Sequence, residues 1–90
     1  MNKAQLVARV ARDTGLTKAD TLRVLDGVLA QVTRSLKKGE RVTLVGFGTF
    51  LVGHRRSRAG RNPRTGEPIR IAGRRVPKFT AGKQLKDLIR

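Results

Sequence analysis

The sequence predicts an α+β fold in one small domain, because helical and strand patterns occupy different parts of its 90 residues. Apolar residues recur at helical spacing up to residue 39, and short runs of strand-forming residues begin at Arg41. The charge is also unevenly distributed. The chain holds 21 Lys and Arg against 6 Asp and Glu, a net charge of +15, and twelve of the basic residues lie in residues 53–90. A charge of this size favours a polyanionic partner.

Two helices joined by a short turn, a helical hairpin, are predicted at the start of the chain. Asn2 and Gln5 form a capping-box pattern that places the start of the first helix, and Gly15 is a natural stop for it. Thr17 is suited to cap a second, longer helix, which Gly39 ends.

The second helix carries an apolar stripe with alternating spacings of three and four residues. Its members are Leu22, Leu25, Leu29, Val32 and Leu36. A helix-turn-helix DNA reader is one interpretation of the hairpin, but the second helix of such a reader exposes polar residues to the bases. A face of Leu and Val suits a buried or dimer-forming surface better.

Strand patterns follow the hairpin. Residues 41–45 and 49–52 are rich in strand-forming residues, and a glycine-containing turn at residues 46–48 separates them. Residues 76–79 return the chain to this sheet, and Thr80 is suited to cap a last short helix.

Residues 54–75 form a segment that we call the arm, which has few apolar residues and a strong positive charge. Asn62-Pro63-Arg64-Thr65-Gly66 is a turn pattern in its middle, because Asn starts turns, Pro presets φ and Gly accepts a positive φ. The arm is therefore predicted to be a two-stranded hairpin with limbs of about 10 residues and a length of roughly 30 Å. Such a ribbon has to project from a domain whose radius of gyration is about 12 Å.

The faces of the arm depend on its strand register. If Arg61 pairs with Glu67 across the turn, strand alternation puts four arginines on one face. They are Arg56, Arg58, Arg70 and Arg74.

The sequence argues against an enzyme. Its single histidine, His54, lies in the basic arm without an evident acidic or nucleophilic partner. Six scattered acidic residues and no cysteine give no metal-binding pattern, so neither a metal nor another cofactor is expected. No apolar run reaches the roughly 18 residues that span a membrane, and the N-terminus lacks the apolar core of a signal peptide. We therefore expect a cytoplasmic protein without a membrane partner.

Four motifs carry a family resemblance. They are Val45-Gly46-Phe47-Gly48-Thr49-Phe50, Gly60-Arg61-Asn62-Pro63-Arg64-Thr65-Gly66, Val76-Pro77-Lys78-Phe79 and Gly82-Lys83-Gln84-Leu85-Lys86-Asp87. With these motifs in this order and spacing, the chain resembles the HU and integration host factor family of bacterial nucleoid proteins, and HU more closely. The resemblance runs from Met1 to Arg90.

The resemblance implies an intertwined dimer in which a helical base carries a β-saddle and two protruding β-ribbon arms. It divides the chain into a helical hairpin (1–39), saddle strands (40–53 and 76–80), the arm (54–75) and a C-terminal helix (81–90). The residues expected in the dimer core are Phe47, Phe50, Phe79, Leu29, Val32, Leu36 and Leu44. The partner chain is either an identical copy or a paralogue.

The resemblance also implies a histone-like protein of the nucleoid that binds duplex DNA through the minor groove with little sequence specificity. Such a protein bends or compacts DNA and prefers distorted, nicked or gapped sites. Pro63 matches the arm-tip proline that wedges between base pairs, whereas the residues alone favour a turn proline. The expected DNA contacts are Arg55, Arg56, Arg58, Arg61, Asn62, Pro63, Arg64, Arg70, Arg74 and Arg75, with Lys3, Lys83 and Lys86 on the flanks.

Other interpretations of the charge stay open. A protein of double-stranded RNA or of the ribosome would be equally basic, and the absence of Phe, Tyr and Trp from the arm counts only against stacking on single-stranded bases. A structural protein could also use its basic segment merely to neutralise acidic surfaces. Finally, Arg74, Arg75 and Lys78 make this stretch more basic than is usual in HU, which leaves the size of the footprint open.

Overall fold

The computed structural model describes residues 1–55, 58–71 and 73–90. Within these residues the chain forms three α-helices and five β-strands, which confirms the predicted α+β class. In chain order they are α1 (Lys3–Thr14), α2 (Lys18–Lys37), β1 (Val42–Leu44), β2 (Gly48–Arg55), β3 (Arg58–Arg61), β4 (Pro68–Ile71), β5 (Arg74–Ala81) and α3 (Lys83–Ile89). The chain divides into two compact units, a helical unit (Met1–Arg34) and a sheet unit (Ser35–Arg90).

Both ends of α1 and the start of α2 lie where the capping residues predict them, whereas α3 begins after Gly82 and not after Thr80, which lies in β5. The Asn2 side chain accepts a hydrogen bond from the Gln5 N–H at 2.9 Å, and the Gln5 side chain accepts one from the Asn2 N–H at 3.0 Å. Gly15 ends α1 with a φ of 76°, and the Thr17 hydroxyl accepts from the Asp20 N–H at 3.1 Å. In the part of the chain that the structure describes, no helix combines the length and apolar character needed to cross a membrane.

Few side chains are buried within one chain. Among the described residues, Val7 and Ala11 of α1 and Thr21 of α2 are the side chains that are less than one-tenth exposed. The chain exposes 7864 Å², whereas a folded monomer of this size exposes about 5,200 Å². Apolar residues contribute to this surface along α2, at Leu22, Val24, Val28 and Leu29.

β1, β2 and β5 form an antiparallel sheet in the order β1-β2-β5. Phe50 pairs with Val42 on one side and with Phe79 on the other, which defines the register. Because strand residues alternate between faces, one face is mainly apolar and the other mainly polar. The apolar face holds Val42, Leu44, Phe50, Val52, Pro77 and Phe79, and the polar face includes Thr43, Thr49, Thr80, Lys78 and Arg74.

Gly48 lies where a side chain cannot fit. A Cβ there would be 2.6 Å from the backbone oxygen of Thr80 and 2.6 Å from the ring of Phe79. We expect Gly48→Ala to lower the free energy of unfolding by about 1–3 kcal/mol, because backbone and ring must both move. Gly53→Ala is the matched control. Its Cβ would meet only the flexible side chain of Lys78, and we expect a change below about 1 kcal/mol.

Urea unfolding of both variants checks this prediction. Equal losses of stability in the two variants would contradict it, because a general weakness of strand glycines would then explain the result rather than the crowding at Gly48.

The outer part of the arm is a separate antiparallel pair of strands, β3 and β4. Arg61 pairs with Pro68, so the register predicted from an Arg61–Glu67 pair is wrong by one residue. The Glu67 carbonyl instead accepts a hydrogen bond from the Asn62 N–H at 2.8 Å. A backbone hydrogen bond between Asn62 and Glu67 therefore closes the turn, and the partner of Arg61 becomes Pro68 instead of Glu67.

This shift removes the basis for a shared face of the four arm arginines. The shared face requires Arg58 to pair with Arg70. In the structure, Arg58 pairs with Ile71 and Arg70 pairs with Ala59. Arg56, the remaining arginine between β2 and β3, lies outside the described residues.

Candidate nucleic-acid interface

The tip of the arm is a turn held by its own hydrogen bonds. The Asn62 carbonyl accepts from the Gly66 N–H at 2.8 Å, and the Asn62 side chain accepts from the Arg64 N–H at 2.9 Å. The Thr65 hydroxyl accepts from the Glu67 N–H at 3.2 Å. Gly66 has a φ of 71°, as the turn pattern predicts. Asn62, an expected DNA contact, therefore has its side chain engaged in shaping the turn.

Pro63 lies at the outer end of this turn and is exposed. Its ring adds a rigid apolar surface between Asn62, whose bonds shape the turn, and Arg64. Arg61 and Arg64 flank the proline and are also exposed. The tip thus presents a small apolar ring with an arginine on each side of it in the sequence, which is a chemistry that suits a negatively charged groove.

The remaining arm arginines are distributed along both limbs. Arg55 pairs with Arg74 at the last described position of the β2–β5 ribbon, and Arg58 and Arg70 lie on β3 and β4. The described strands therefore carry basic residues from the root of the arm, where His54 pairs with Arg75, to its tip.

The polar face of the sheet offers a second group of donors, which the sequence reasoning did not single out. Thr43 and Thr49 are neighbours on it, with their hydroxyl oxygens 3.3 Å apart, and Thr80 pairs with Thr49. Hydroxyls next to cations are typical contacts of phosphate oxygens. The sequence shows threonines within the strand-forming runs. Only the strand register shows that these three threonines are neighbours on one face of the sheet.

Lys78 belongs to the same polar face. Its side chain passes over Gly53, where a Cβ would collide with it. Because Gly53 leaves this space, the aliphatic stem of Lys78 lies along the sheet and its ammonium group is directed towards the root of the arm.

Arg75 differs from its neighbour Arg74. Strand alternation puts Arg75 on the apolar face of the sheet, beside His54, whereas Arg74 lies on the polar face. The Arg75 guanidinium donates to the carbonyls of Leu36 and Lys37 at 2.9 Å and 3.0 Å. Arg75 is an expected DNA contact, but its side chain is bound to the C-terminal end of α2.

The expected flank residues have different surroundings. Lys3 forms an ion pair with Asp26 at 2.6 Å, and both side chains are about half exposed. Lys83 and Lys86 lie on α3 and are exposed. The contacts of all three lysines with DNA stay a prediction.

The three phenylalanines form one cluster. The ring centroid of Phe79 lies 5.5 Å from that of Phe47 and 5.0 Å from that of Phe50, both at 53°. These are distances of favourable aromatic pairs. Yet Phe47 and Phe79 are still 46% and 42% exposed in the single chain.

The other residues expected in the dimer core are also incompletely covered. Leu29 and Leu44 are exposed, and Val32 and Leu36 are half-buried. Phe47 and Phe79 thus leave part of the aromatic cluster uncovered within one chain.

Comparison with known proteins gives a consistent result. A family profile described as bacterial DNA-binding protein matches residues 1–90. The chain is 52% identical to DNA-binding protein HU-beta of Neisseria meningitidis serogroup A over 89 residues, which cover 99% of this chain and 100% of that protein. It is 53% identical to HU-beta of Escherichia coli K12, with 99% of both chains covered. Its structure is similar to that of Anabaena HU in a cocrystal with DNA, with a TM-score of 0.90, 42% identity and coverage of 99% and 97%.

Proposed function

The chain belongs to the HU family of bacterial DNA-binding proteins, and on this basis we propose that it binds duplex DNA through the minor groove, with little sequence specificity, and bends it. The family is one of DNA-binding proteins and not of enzymes, which agrees with the prediction of no catalytic activity. A protein with this activity acts on the nucleoid, in the cytoplasm.

The observation that carries the proposal is the exposed Pro63 between Arg61 and Arg64, on a turn that its own hydrogen bonds hold in shape. Arginine side chains suit a narrow minor groove with its strong negative potential. A rigid apolar ring between them is suited to enter a base step. Wedging of this kind is known for minor-groove proteins such as HU and integration host factor, at a cost of about a few kcal/mol for each unstacked step.

Low sequence specificity follows from the kinds of donor that are available. The arm and the polar face of the sheet offer guanidinium, ammonium and hydroxyl groups, all of which suit phosphate oxygens. Phosphates carry no sequence information, so such contacts supply affinity without base readout. A nicked or gapped duplex is easier to deform, and the protein should therefore prefer it.

We also propose that the functional form is a dimer of two identical chains. The single chain exposes about 2,700 Å² more than a folded monomer of its size. Obligate interfaces bury roughly 1,000–2,500 Å² on each chain, so burial in such an interface would account for much of this excess. A second chain that covered the exposed rings of Phe47 and Phe79 would complete this aromatic core.

The test is end-to-end FRET on a short duplex, intact and nicked, across a salt series. We expect DNA bending, tighter binding to the nicked duplex, and a loss of affinity on the order of 10³-fold between about 50 and 200 mM salt. The same titration with a double-stranded RNA of equal length is the control. Equal affinity for both nucleic acids with no bending of either would overturn the proposal in favour of a general polycation or an RNA-binding protein.

A further inference from the structure

The C-terminal end of α2 has a defined cap. Gly39 adopts a left-handed conformation with a φ of 79°, its N–H donates to the Leu36 carbonyl at 3.0 Å, and the Glu40 N–H donates to the Ser35 carbonyl at 2.9 Å. These two bonds form a Schellman motif, which satisfies some of the carbonyls that a helix end leaves without partners.

Arg75 adds a side chain to this cap. One nitrogen of its guanidinium donates to the carbonyls of Leu36 and Lys37, which are 39 and 38 residues away in the sequence. Hydrogen bonds from a charged donor are stronger than neutral ones. The guanidinium also brings positive charge to the negative end of the dipole of a 20-residue helix.

The place of Arg75 in the sheet gives this interaction a consequence. β1 pairs with β2 only from Gly48 to Phe50, so beyond Phe50 the β2–β5 ribbon continues without its third strand. His54 and Arg75 form the pair at the root of the arm, four residues from the Phe50–Phe79 pair. At about 3.3 Å per residue, this root lies roughly 13 Å from the aromatic cluster. Arg75 therefore connects the ribbon to the end of α2 at a position four residues beyond the last one that β1 supports.

We propose that Arg75 is a positioning residue, which fixes the direction of the arm by holding its root on the end of α2, and that it is not a phosphate contact. The part that concerns DNA rests on the proposed function. Arg74 is the matched comparison, because it is the adjacent arginine, has the same charge and lies on the opposite, polar face of the ribbon.

The experiment compares Arg75→Met with Arg74→Met, because methionine removes the charge and the donors but retains an unbranched apolar stem. Bending is read by end-to-end FRET at saturating protein, and affinity is measured across a salt series. We expect Arg74→Met to retain the wild-type bend and to flatten the salt dependence by about 0.9 in log–log slope for each phosphate that the variant no longer neutralises. We expect Arg75→Met to retain the slope and to change the bend at saturation.

Two results would overturn the assignment. A flattened slope with an unchanged bend in Arg75→Met would make Arg75 a phosphate contact. A lower melting temperature with unchanged slope and bend would make its role purely structural. If Arg75→Met does not fold, Arg75→Gln is compared with Arg74→Gln. Gln removes the charge but retains an NH₂ donor for the carbonyls, so a flattened slope with an unchanged bend in Arg75→Gln would again make Arg75 a phosphate contact.

A second measurement does not depend on DNA. The chain has no cysteine, so a spin label at Glu67→Cys marks the tip of each arm, and the distance between the two tips of a dimer can be measured in the free protein. We expect Arg75→Met, and not Arg74→Met, to broaden the distribution of this distance. An unchanged distribution would overturn the positioning role. If the wild-type protein binds DNA without bending it, this result would count against the proposed function and not against the positioning role of Arg75.

Discussion

A Pro63→Ala variant is expected to bind duplex DNA at low salt with an affinity within about tenfold of the wild type, and to lose most of the bending. Alanine lacks the ring that we propose enters the base step. The cations beside it are unchanged, and they supply most of the attraction to phosphates. The turn should survive, because its hydrogen bonds join Asn62, Arg64, Thr65, Gly66 and Glu67, and none of those bonds involves Pro63.

End-to-end FRET at saturating protein measures the bend, and a gel-shift titration at low salt measures binding. Pro68→Ala is the matched control, because Pro68 lies in the same ribbon, paired with Arg61, but outside the turn of residues 62–67. We expect this control to bend DNA like the wild type. A Pro63→Ala protein that bends DNA as strongly as the wild type would eliminate the wedge and leave phosphate contacts as the source of any bend.

A Phe79→Ala variant is expected to lose the folded dimer at micromolar concentration. Phe79 is the central ring of the cluster, within 5.5 Å of Phe47 and 5.0 Å of Phe50, so its removal takes away both aromatic pairs. Replacing a buried Phe by Ala costs about 3–5 kcal/mol, and a symmetric dimer loses this amount twice. Few side chains are buried within one chain, so little stability remains once the shared core is opened.

Thermal unfolding at several protein concentrations, together with sedimentation, tests this expectation. The wild type should melt at higher temperature as its concentration rises, because association stabilises the folded state by mass action. Phe79→Leu retains an apolar side chain of similar size and should retain the dimer at reduced stability. A wild-type melting temperature that does not depend on concentration would contradict a core that is shared between chains.

Local chemistry made the ends of α1 and the arm turn predictable, but not the start of α3, where Gly82 and not Thr80 is the cap. Asn2, Gln5 and Gly15 act through bonds to residues at most four positions away, so their roles can be inferred from spacing alone. The turn at Asn62–Gly66 is equally local, and Gly66 takes the positive φ that its position requires. The family motifs added the dimer and the wedge, which no local pattern in this chain contains.

The register of the arm and the role of Arg75 could not be predicted in this way. The register depends on whether Asn62 or Arg61 closes the turn opposite Glu67, and a difference of one residue separates two pairings that look similar in sequence. Arg75 reaches carbonyls 38 and 39 residues earlier in the chain, and nothing in a run of basic residues distinguishes it from Arg74. Positive charge alone therefore predicted the same role for arginines whose surroundings in the structure differ.

The hydrogen bonds at the arm tip have a consequence for protein design. Among the described residues, the hydrogen bonds that shape the turn all join residues from Asn62 to Glu67, a segment of six residues. We therefore expect the loop to retain its conformation outside this protein. Transplanted onto an unrelated two-stranded hairpin of matching register, or closed into a small cyclic peptide, it should present its proline at the same angle, without the rest of the protein.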